Sequence, residues 1–79
     1  MALDIRCAAG GKIKKRSEPY EEIVDIQADT EAEITALGEV VTDAEGRSVI
    51  PLPRSTAYTA DASVGYRLNG SRMWVKFKG

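Results

Sequence analysis

The chain contains no histidine and one cysteine, and these two scarcities exclude several classes of active site. Without histidine, Ser-His-Asp and Cys-His nucleophile systems and histidine-ligated metals are excluded. Cys7 alone can form neither an internal disulfide nor a four-cysteine zinc cluster, and a free thiol is typical of a reducing compartment. We therefore expect a non-enzymatic protein with no cofactor and no metal, in the cytoplasm or as part of a virion.

Long hydrophobic runs are also missing. No segment approaches the roughly 18–20 apolar residues that span a bilayer, so no membrane association is expected. Residues 1–6 lack the apolar region of a signal peptide. Leu, Ile, Val and Phe together supply 17 of the 79 residues, which is little apolar material for a core. The length predicts a single domain over residues 1–79, marginally stable unless a partner or a second copy supports it.

The net charge of −1 conceals three blocks of opposite sign. Residues 1–16 carry +4, residues 17–46 carry ten acids and no base, and residues 47–79 carry +5. One interpretation is internal pairing, in which the acidic middle folds against its basic flanks. The other is a dipolar surface that attracts an anionic partner or the acidic face of a neighbouring copy.

The first half of the chain predicts three strands. Residues 3–7 alternate between apolar and polar side chains, and Gly10-Gly11 supplies a turn. Residues 12–16 would then return as an exposed, lysine-rich edge strand in which Ile13 is the lone apolar residue. Residues 22–27 are rich in β-branched side chains and predict a third strand.

A short helix and a hairpin are predicted next. Thr30 and Glu33 match a capping box, which favours a helix over about residues 30–38, with Gly38 at its end. Residues 40–42 and 48–50 flank a turn containing Gly46, typical of a bulged hairpin. Residues 54–62 are small and polar and predict a loop, with at most a short strand around Tyr58.

A C-terminal hairpin over residues 64–78 is indicated by Asn69-Gly70, a strong two-residue turn signal. A two-residue turn pairs Leu68 with Ser71 and Arg67 with Arg72. This register puts six apolar side chains on one face, which predicts a core face: Val64, Tyr66, Leu68, Met73, Val75 and Phe77.

The predicted fold is therefore α+β. We expect a small, mostly antiparallel sheet or open barrel of five to seven short strands, with one short helix packed on it and the hairpin at the C-terminal end.

The same register gathers four basic side chains and a tryptophan on the opposite face of the hairpin. Cations interleaved with an aromatic ring suit phosphates and a stacked base, or the acidic side chains of a protein partner with the indole as an anchor. Alternatively, the cations face solvent and the indole covers Gly65 or packs under the acidic helix. The candidate partner-binding residues are Arg67, Arg72, Trp74, Lys76 and Lys78.

A second candidate is an acidic surface in the middle of the chain. No nearby group would act as a nucleophile's base, so acid–base catalysis is not expected. A dense carboxylate surface could imitate DNA phosphates and block a complex that handles nucleic acid. Its residues are Glu21, Glu22, Asp25, Glu31 and Glu33.

Residues 5–12, followed by residues 26–28, resemble part of the small zinc-ribbon translational regulators of phages. Cys7 is the one residue that stands at any of the four expected ligand positions. The resemblance covers about the first half of the chain and implies no zinc site here.

The leading functional hypothesis is a small interaction or assembly protein, of a type common in phages and prophages, that binds a protein partner or a second copy. Its alternatives are a nucleic-acid-binding module and an acidic DNA mimic. No small-molecule substrate is expected.

Overall fold

The computed structural model describes residues 3–79, which form eight strands and one short helix. The α+β class and the C-terminal hairpin are confirmed, whereas the expected number of strands was too low. In chain order the elements are β1 (Asp4–Cys7), β2 (Tyr20–Glu22), β3 (Val24–Ala28), α1 (Glu31–Thr35), β4 (Val41–Thr42), β5 (Ser48–Pro51), β6 (Thr56–Thr59), β7 (Gly65–Leu68) and β8 (Trp74–Lys78).

The strands form two sheets. The larger sheet has the order β1-β3-β6-β7-β8, and the smaller has the order β2-β5-β4. The β3–β6 and β2–β5 pairs are parallel, while β1–β3, β4–β5, β6–β7 and β7–β8 are antiparallel. The predominance of antiparallel pairing is therefore confirmed.

A row of side chains crosses the inner face of the larger sheet and makes most of the core. Ile5 is paired with Ile26, Ile26 with Ala57, and Ala57 with Tyr66. All four are buried, and Ile34 of α1 belongs to the same buried cluster. The opposite, outer face carries the polar residues of the alternating strand pattern, as in the buried–exposed alternation of β3.

The short strand around Tyr58 that the sequence allowed within the loop over residues 54–62 is present, and it holds a central place. Residues Thr56–Thr59 form the central strand of the larger sheet, between β3 and β7. Ala57 is fully buried and Thr59 nearly so. Small side chains are needed here because α1 packs directly on this strand, and that closeness is a tertiary constraint that local composition does not reveal.

The helix begins as predicted but ends early. The Thr30 hydroxyl accepts a hydrogen bond from the Glu33 amide at 3.4 Å, and the Glu33 carboxylate accepts one from the Thr30 amide at 3.1 Å. The helix ends at Thr35 rather than near Gly38. The Thr35 hydroxyl donates to the Ala32 carbonyl at 3.0 Å, and such side-chain bonds compete with helix continuation.

The predicted return strand over residues 12–16 is wrong. One isolated bridge joins Arg6 to Lys12, and the chain then leaves β1. Ile13 turns inward and is 2% exposed, so it belongs to the core and not to a solvated edge. Burial of its side chain stabilises this path by about 1.5–3 kcal/mol, more than a few edge pairings contribute.

Replacement of Ile13 by alanine tests this placement. We expect Ile13→Ala to lower the free energy of unfolding by about 2–4 kcal/mol, because it leaves a cavity in the core. The matched control is Lys15→Ala in the same segment, where the exposed side chain should change it by less than about 0.5 kcal/mol. Urea unfolding followed by Trp74 fluorescence measures both, and equal effects would contradict the buried position of Ile13.

Two aspartates hold turns together through their carboxylates. In the β4–β5 hairpin, which the sequence predicted, Asp43 accepts from the amides of Glu45 and Arg47 at 3.0 and 2.9 Å. Burial raises the pKa of Asp43, but these bonds and the Arg47 guanidinium together bring it below its ordinary value. Between β6 and β7, the amide and hydroxyl of Ser63 and the Thr59 hydroxyl lower the pKa of Asp61 to about 2.

Lowered carboxyl pKa values predict acid sensitivity. Because the unfolded pKa of an aspartate is about 3.9, the stability supplied by Asp61 is complete above that pH and is lost as the pH falls toward 2. We expect Asp61→Asn to be less stable than the parent at pH 7 and to approach it near pH 2. Unfolding curves at stepped pH measure this difference in stability. The control is Glu39→Gln, at an exposed side chain. A difference between Asp61→Asn and the parent that stays constant with pH would contradict the lowered pKa of Asp61.

Candidate partner-binding surface

The C-terminal hairpin has a different register from the predicted one. Leu68 lies opposite Trp74, Arg67 opposite Val75, and Tyr66 opposite Lys76, with a bulge before Gly65 pairs with Lys78. Relative to the predicted pairing of Leu68 with Ser71, the second strand is displaced by three residues. An odd displacement moves the side chains of β8 up to the bulge, from Trp74 to Phe77, to the other face of the sheet.

The reason lies in the side chain of Asn69. Its amide oxygen accepts from the backbone N–H groups of Ser71 and Met73 at 2.9 and 3.0 Å. The Asn69 amide itself donates to the Met73 carbonyl at 3.0 Å, which leaves residues 70–72 as the turn. Arg72, with φ +60°, takes the left-handed position that the prediction gave to Asn69-Gly70.

The predicted basic face therefore does not exist as one surface. Arg67 lies on the outer face, and Trp74 and Lys76 lie on the inner face beside Leu68 and Tyr66. Arg72 is in the turn, and Lys78 follows the bulge at the end of β8. Because the cations are divided between two faces, the arrangement does not favour a nucleic-acid platform. Whether any of these residues binds a partner stays a prediction.

Two of these cations are used inside the molecule. The Lys76 ammonium lies 2.9 Å from the Glu31 carboxylate, which also accepts from the Tyr66 hydroxyl at 2.6 Å. The Tyr66 bond, followed by the Lys76 bond, lowers the pKa of Glu31, and the bond to Glu31 raises the pKa of both partners. Arg72 donates to Glu21 at 3.1 Å and to the Pro51 carbonyl at 3.3 Å, which joins the turn to the smaller sheet.

Ion pairing follows the charge blocks of the sequence. Of the six ion pairs in residues 3–79, only Arg6–Asp4 stays within one block. The other five join the acidic middle to a basic flank, which supports internal pairing as the use of much of this charge: Lys12–Glu45, Arg47–Asp43, Arg47–Glu45, Arg72–Glu21 and Lys76–Glu31.

The predicted acidic surface is spread over three elements, β2, β3 and α1. Besides Glu21 and Glu31, the Glu22 carboxylate accepts from the Ile23 amide, Asp25 from the Thr56 hydroxyl, and Glu33 from the helix cap. All five carboxylates are thus engaged locally. This arrangement does not favour a DNA mimic, which needs carboxylates directed outward together.

The outer edge of β8 is the open edge of the larger sheet. At the opposite edge, β1 is covered by the bridge to Lys12 and by bonds from the Cys7 amide to Gly11 and from the Ala44 amide to Leu3. Within residues 3–79, no backbone group bonds to the outer side of β8.

The same strand and the residue that precedes it concentrate exposed hydrophobic side chains. Met73, Val75 and Phe77 are 63%, 49% and 45% exposed, and Val40 is the other large hydrophobic side chain of the described chain at this level of exposure. The sequence assigned these three residues to the core, and that prediction is wrong because the register is displaced. Their shared face was evident from alternation, but the side on which it lies depends on the turn.

Phe77 has ordered neighbours on the outer face. Its ring meets that of Tyr58 edge-on with centroids 5.8 Å apart, and the Arg67 guanidinium lies 4.9 Å from its centroid. We call the exposed row of Met73, Val75 and Phe77, together with the open backbone of β8, the β8 edge surface.

A shallow groove of about 330 Å³ opens on the other side of the hairpin, between the end of the helical segment and the turn. Its lining includes Leu37, Pro51, Leu68, Arg72 and the half-buried Trp74. Trp74 therefore packs against the core cluster and is not displayed as a free stacking platform.

Comparison with protein-family models, with curated proteins and with solved structures finds no match to this chain. The helix found in residues 3–79 is too short to cross a membrane. In the same residues, no group of three or more Cys, Asp or Glu side chains is arranged to hold a metal ion.

The contact of Glu31 with Lys76 and Tyr66 can be separated by double-mutant cycles. We expect Glu31→Gln to lower the denaturation midpoint at pH 7 and to match the parent at acid pH, because the folded-state pKa of Glu31 is depressed and its contribution is lost as the pH falls through that value. Coupling to Lys76→Met should weaken in 1 M salt, and coupling to Tyr66→Phe should persist. Salt-independent coupling in both cycles would contradict an ion pair at Lys76.

Proposed function

We propose that this chain is a small, non-enzymatic interaction module that binds a protein partner along the β8 edge surface. The observation that carries the proposal is the coincidence, on one strand, of an unpaired backbone edge with three exposed hydrophobic side chains. A partner strand that adds to such an edge gains backbone hydrogen bonds and hydrophobic contacts together.

The hairpin is held in place before any partner arrives. Glu31 fixes β7 and β8 through Tyr66 and Lys76, and Glu21 fixes the turn through Arg72. An edge that is already ordered loses less conformational entropy on binding, which favours affinity for a given contact area.

Charge at the surface indicates the kind of partner. Arg67 and Lys78 border the exposed row, and neither forms an ion pair within residues 3–79. Positive charges beside a hydrophobic row suit an extended segment with apolar side chains on one face and few unpaired cations of its own. We also propose a cytoplasmic or virion location, which the unpaired Cys7 supports.

Substitution of Val75 tests the proposed surface against a matched position. Val75 and Val40 are equally exposed valines, 49% and 46%, in different parts of the fold. We expect the immobilised parent and the immobilised Val40→Ser variant to retain proteins from an extract of the source cells. We expect the Val75→Ser variant not to retain them. With a purified partner, Val75→Ser should weaken binding by about tenfold or more, since it removes a central apolar contact, while Val40→Ser stays within about twofold.

Circular dichroism of both variants is the control for folding. Equal retention by all three chains, or equal loss with both valine variants, would contradict binding along β8.

A further inference from the structure

We propose that the occupant of the β8 edge surface is a second copy of this chain, paired antiparallel through β8 about a two-fold axis at Val75. The inference rests on the proposed function and names its partner. It follows from the direction of the backbone groups of β8 and from the order of its side chains.

The hydrogen bonds around the turn show which residues of β8 face outward. Asn69 bonds to Met73, whereas the amide and carbonyl of Leu68 are directed away from β8, to Ser55 and Arg54. In an antiparallel ladder, hydrogen-bonded and non-bonded pairs alternate. Leu68–Trp74 is therefore a non-bonded pair, and the backbone groups of Trp74 point to the open edge, as do those of Lys76 two residues later.

A symmetric register with its axis at Trp74 satisfies these directions, but it sets Lys76 across from Arg72 of the turn and Phe77 across from Ser71. Two further symmetric registers satisfy them. One has its axis at Lys76 and places the two Lys76 side chains directly opposite each other, which is unfavourable. The other has its axis at Val75, so that the outward groups of Trp74 in one copy meet those of Lys76 in the other. The second register avoids the lysine pair and uses the same backbone groups.

The register centred on Val75 also matches the hydrophobic row to itself. The two Val75 side chains meet at the axis, and Met73 of each copy lies opposite Phe77 of the other. Each exposed hydrophobic side chain of β8 thus gains an apolar cross-strand neighbour, and aromatic and branched pairs of this kind stabilise sheets.

Charge is compatible with this arrangement. Lys76 of each copy would lie across from the indole of Trp74, and its ammonium is already paired with Glu31. Lys78 would lie across from Arg72, whose guanidinium is paired with Glu21. Each cation–cation contact across the axis thus includes one partner, Arg72, that is already paired with the acidic middle segment, while Lys78 itself forms no ion pair within residues 3–79.

The contact is small. One short strand and three side chains per copy are less than the roughly 800 Å² per partner of a standard stable interface. We therefore expect a weak dimer, with a dissociation constant on the order of 10–100 μM.

Sedimentation velocity from below 5 to about 500 μM, which spans that range, tests self-association. We expect the weight-average mass of the full chain to rise toward that of a dimer. Val75→Lys, which puts two positive charges at the axis, should stay monomeric, and Val40→Lys should behave as the parent does. A monomer throughout this range, or an equal shift by both lysine variants, would overturn the proposal.

Cysteine cross-linking tests the register. In a Cys7→Ser background, Val75→Cys should oxidise to a dimer at least about tenfold faster than Lys76→Cys or Val40→Cys, because the Val75 pair is non-bonded and brings the two Cβ atoms close. Faster cross-linking by Lys76→Cys or Val40→Cys would overturn it. If the chain is monomeric but retains a different protein that Val75→Ser does not retain, the second copy is the wrong partner and the proposed function stands. If the chain binds neither a second copy nor a different protein along β8, both proposals fail.

Discussion

The Glu31 carboxylate joins the acidic middle of the chain to its last two strands. It accepts from the Tyr66 hydroxyl and the Lys76 ammonium, which lie side by side on the inner face of the β7–β8 hairpin. Tyr66 also ends the buried row that begins at Ile5 and crosses the larger sheet. One carboxylate on the first turn of the helix therefore binds the inner face of the hairpin in the register that Asn69 sets, the register in which Val75 and Phe77 are exposed.

The acidic and basic blocks of the sequence pair with each other across this fold. A core with few large apolar residues cannot by itself hold a helix, two sheets and a hairpin in one register. Ion pairs between the acidic middle and the basic flanks add contacts that are distant in sequence, such as Arg72–Glu21 and Lys76–Glu31. Individually such exposed pairs contribute little to stability. Because the acids lie in the middle of the chain and the bases in its flanks, alternative packings that bring two like-charged segments together are disfavoured.

Local signals predicted the elements that local interactions determine. The Thr30–Glu33 capping box, the Gly46 hairpin and the alternation of Val24 and Ile26 are short-range features, and the structure contains all of them. The short strand around Tyr58 was allowed for, but its central place in the sheet was not, because its small residues are required by the helix above it. Ile13 was misplaced because a single apolar residue among lysines gives no period from which burial can be read.

The hairpin shows how a local error of three residues inverts a functional interpretation. Asn69-Gly70 correctly indicated a turn, but Asn69 uses its side chain to cap that turn and Arg72 takes the left-handed position. The predicted core face of β8 then becomes its exposed face, and the predicted basic face is divided. Alternation grouped Met73, Val75 and Phe77 correctly, and only long-range contacts could decide that Tyr66 and Leu68, not these three, face the core.

The exposed row of hydrophobic side chains cannot turn inward without the loss of other contacts. Turning Val75 and Phe77 inward would require the hairpin to slip by an odd number of residues, which would carry Lys76 away from Glu31 and Trp74 away from Leu68. Gly65 adds a steric limit, since any side chain there would collide with Tyr58 and crowd Phe77. The interactions that build the hairpin therefore keep Met73, Val75 and Phe77 exposed within residues 3–79.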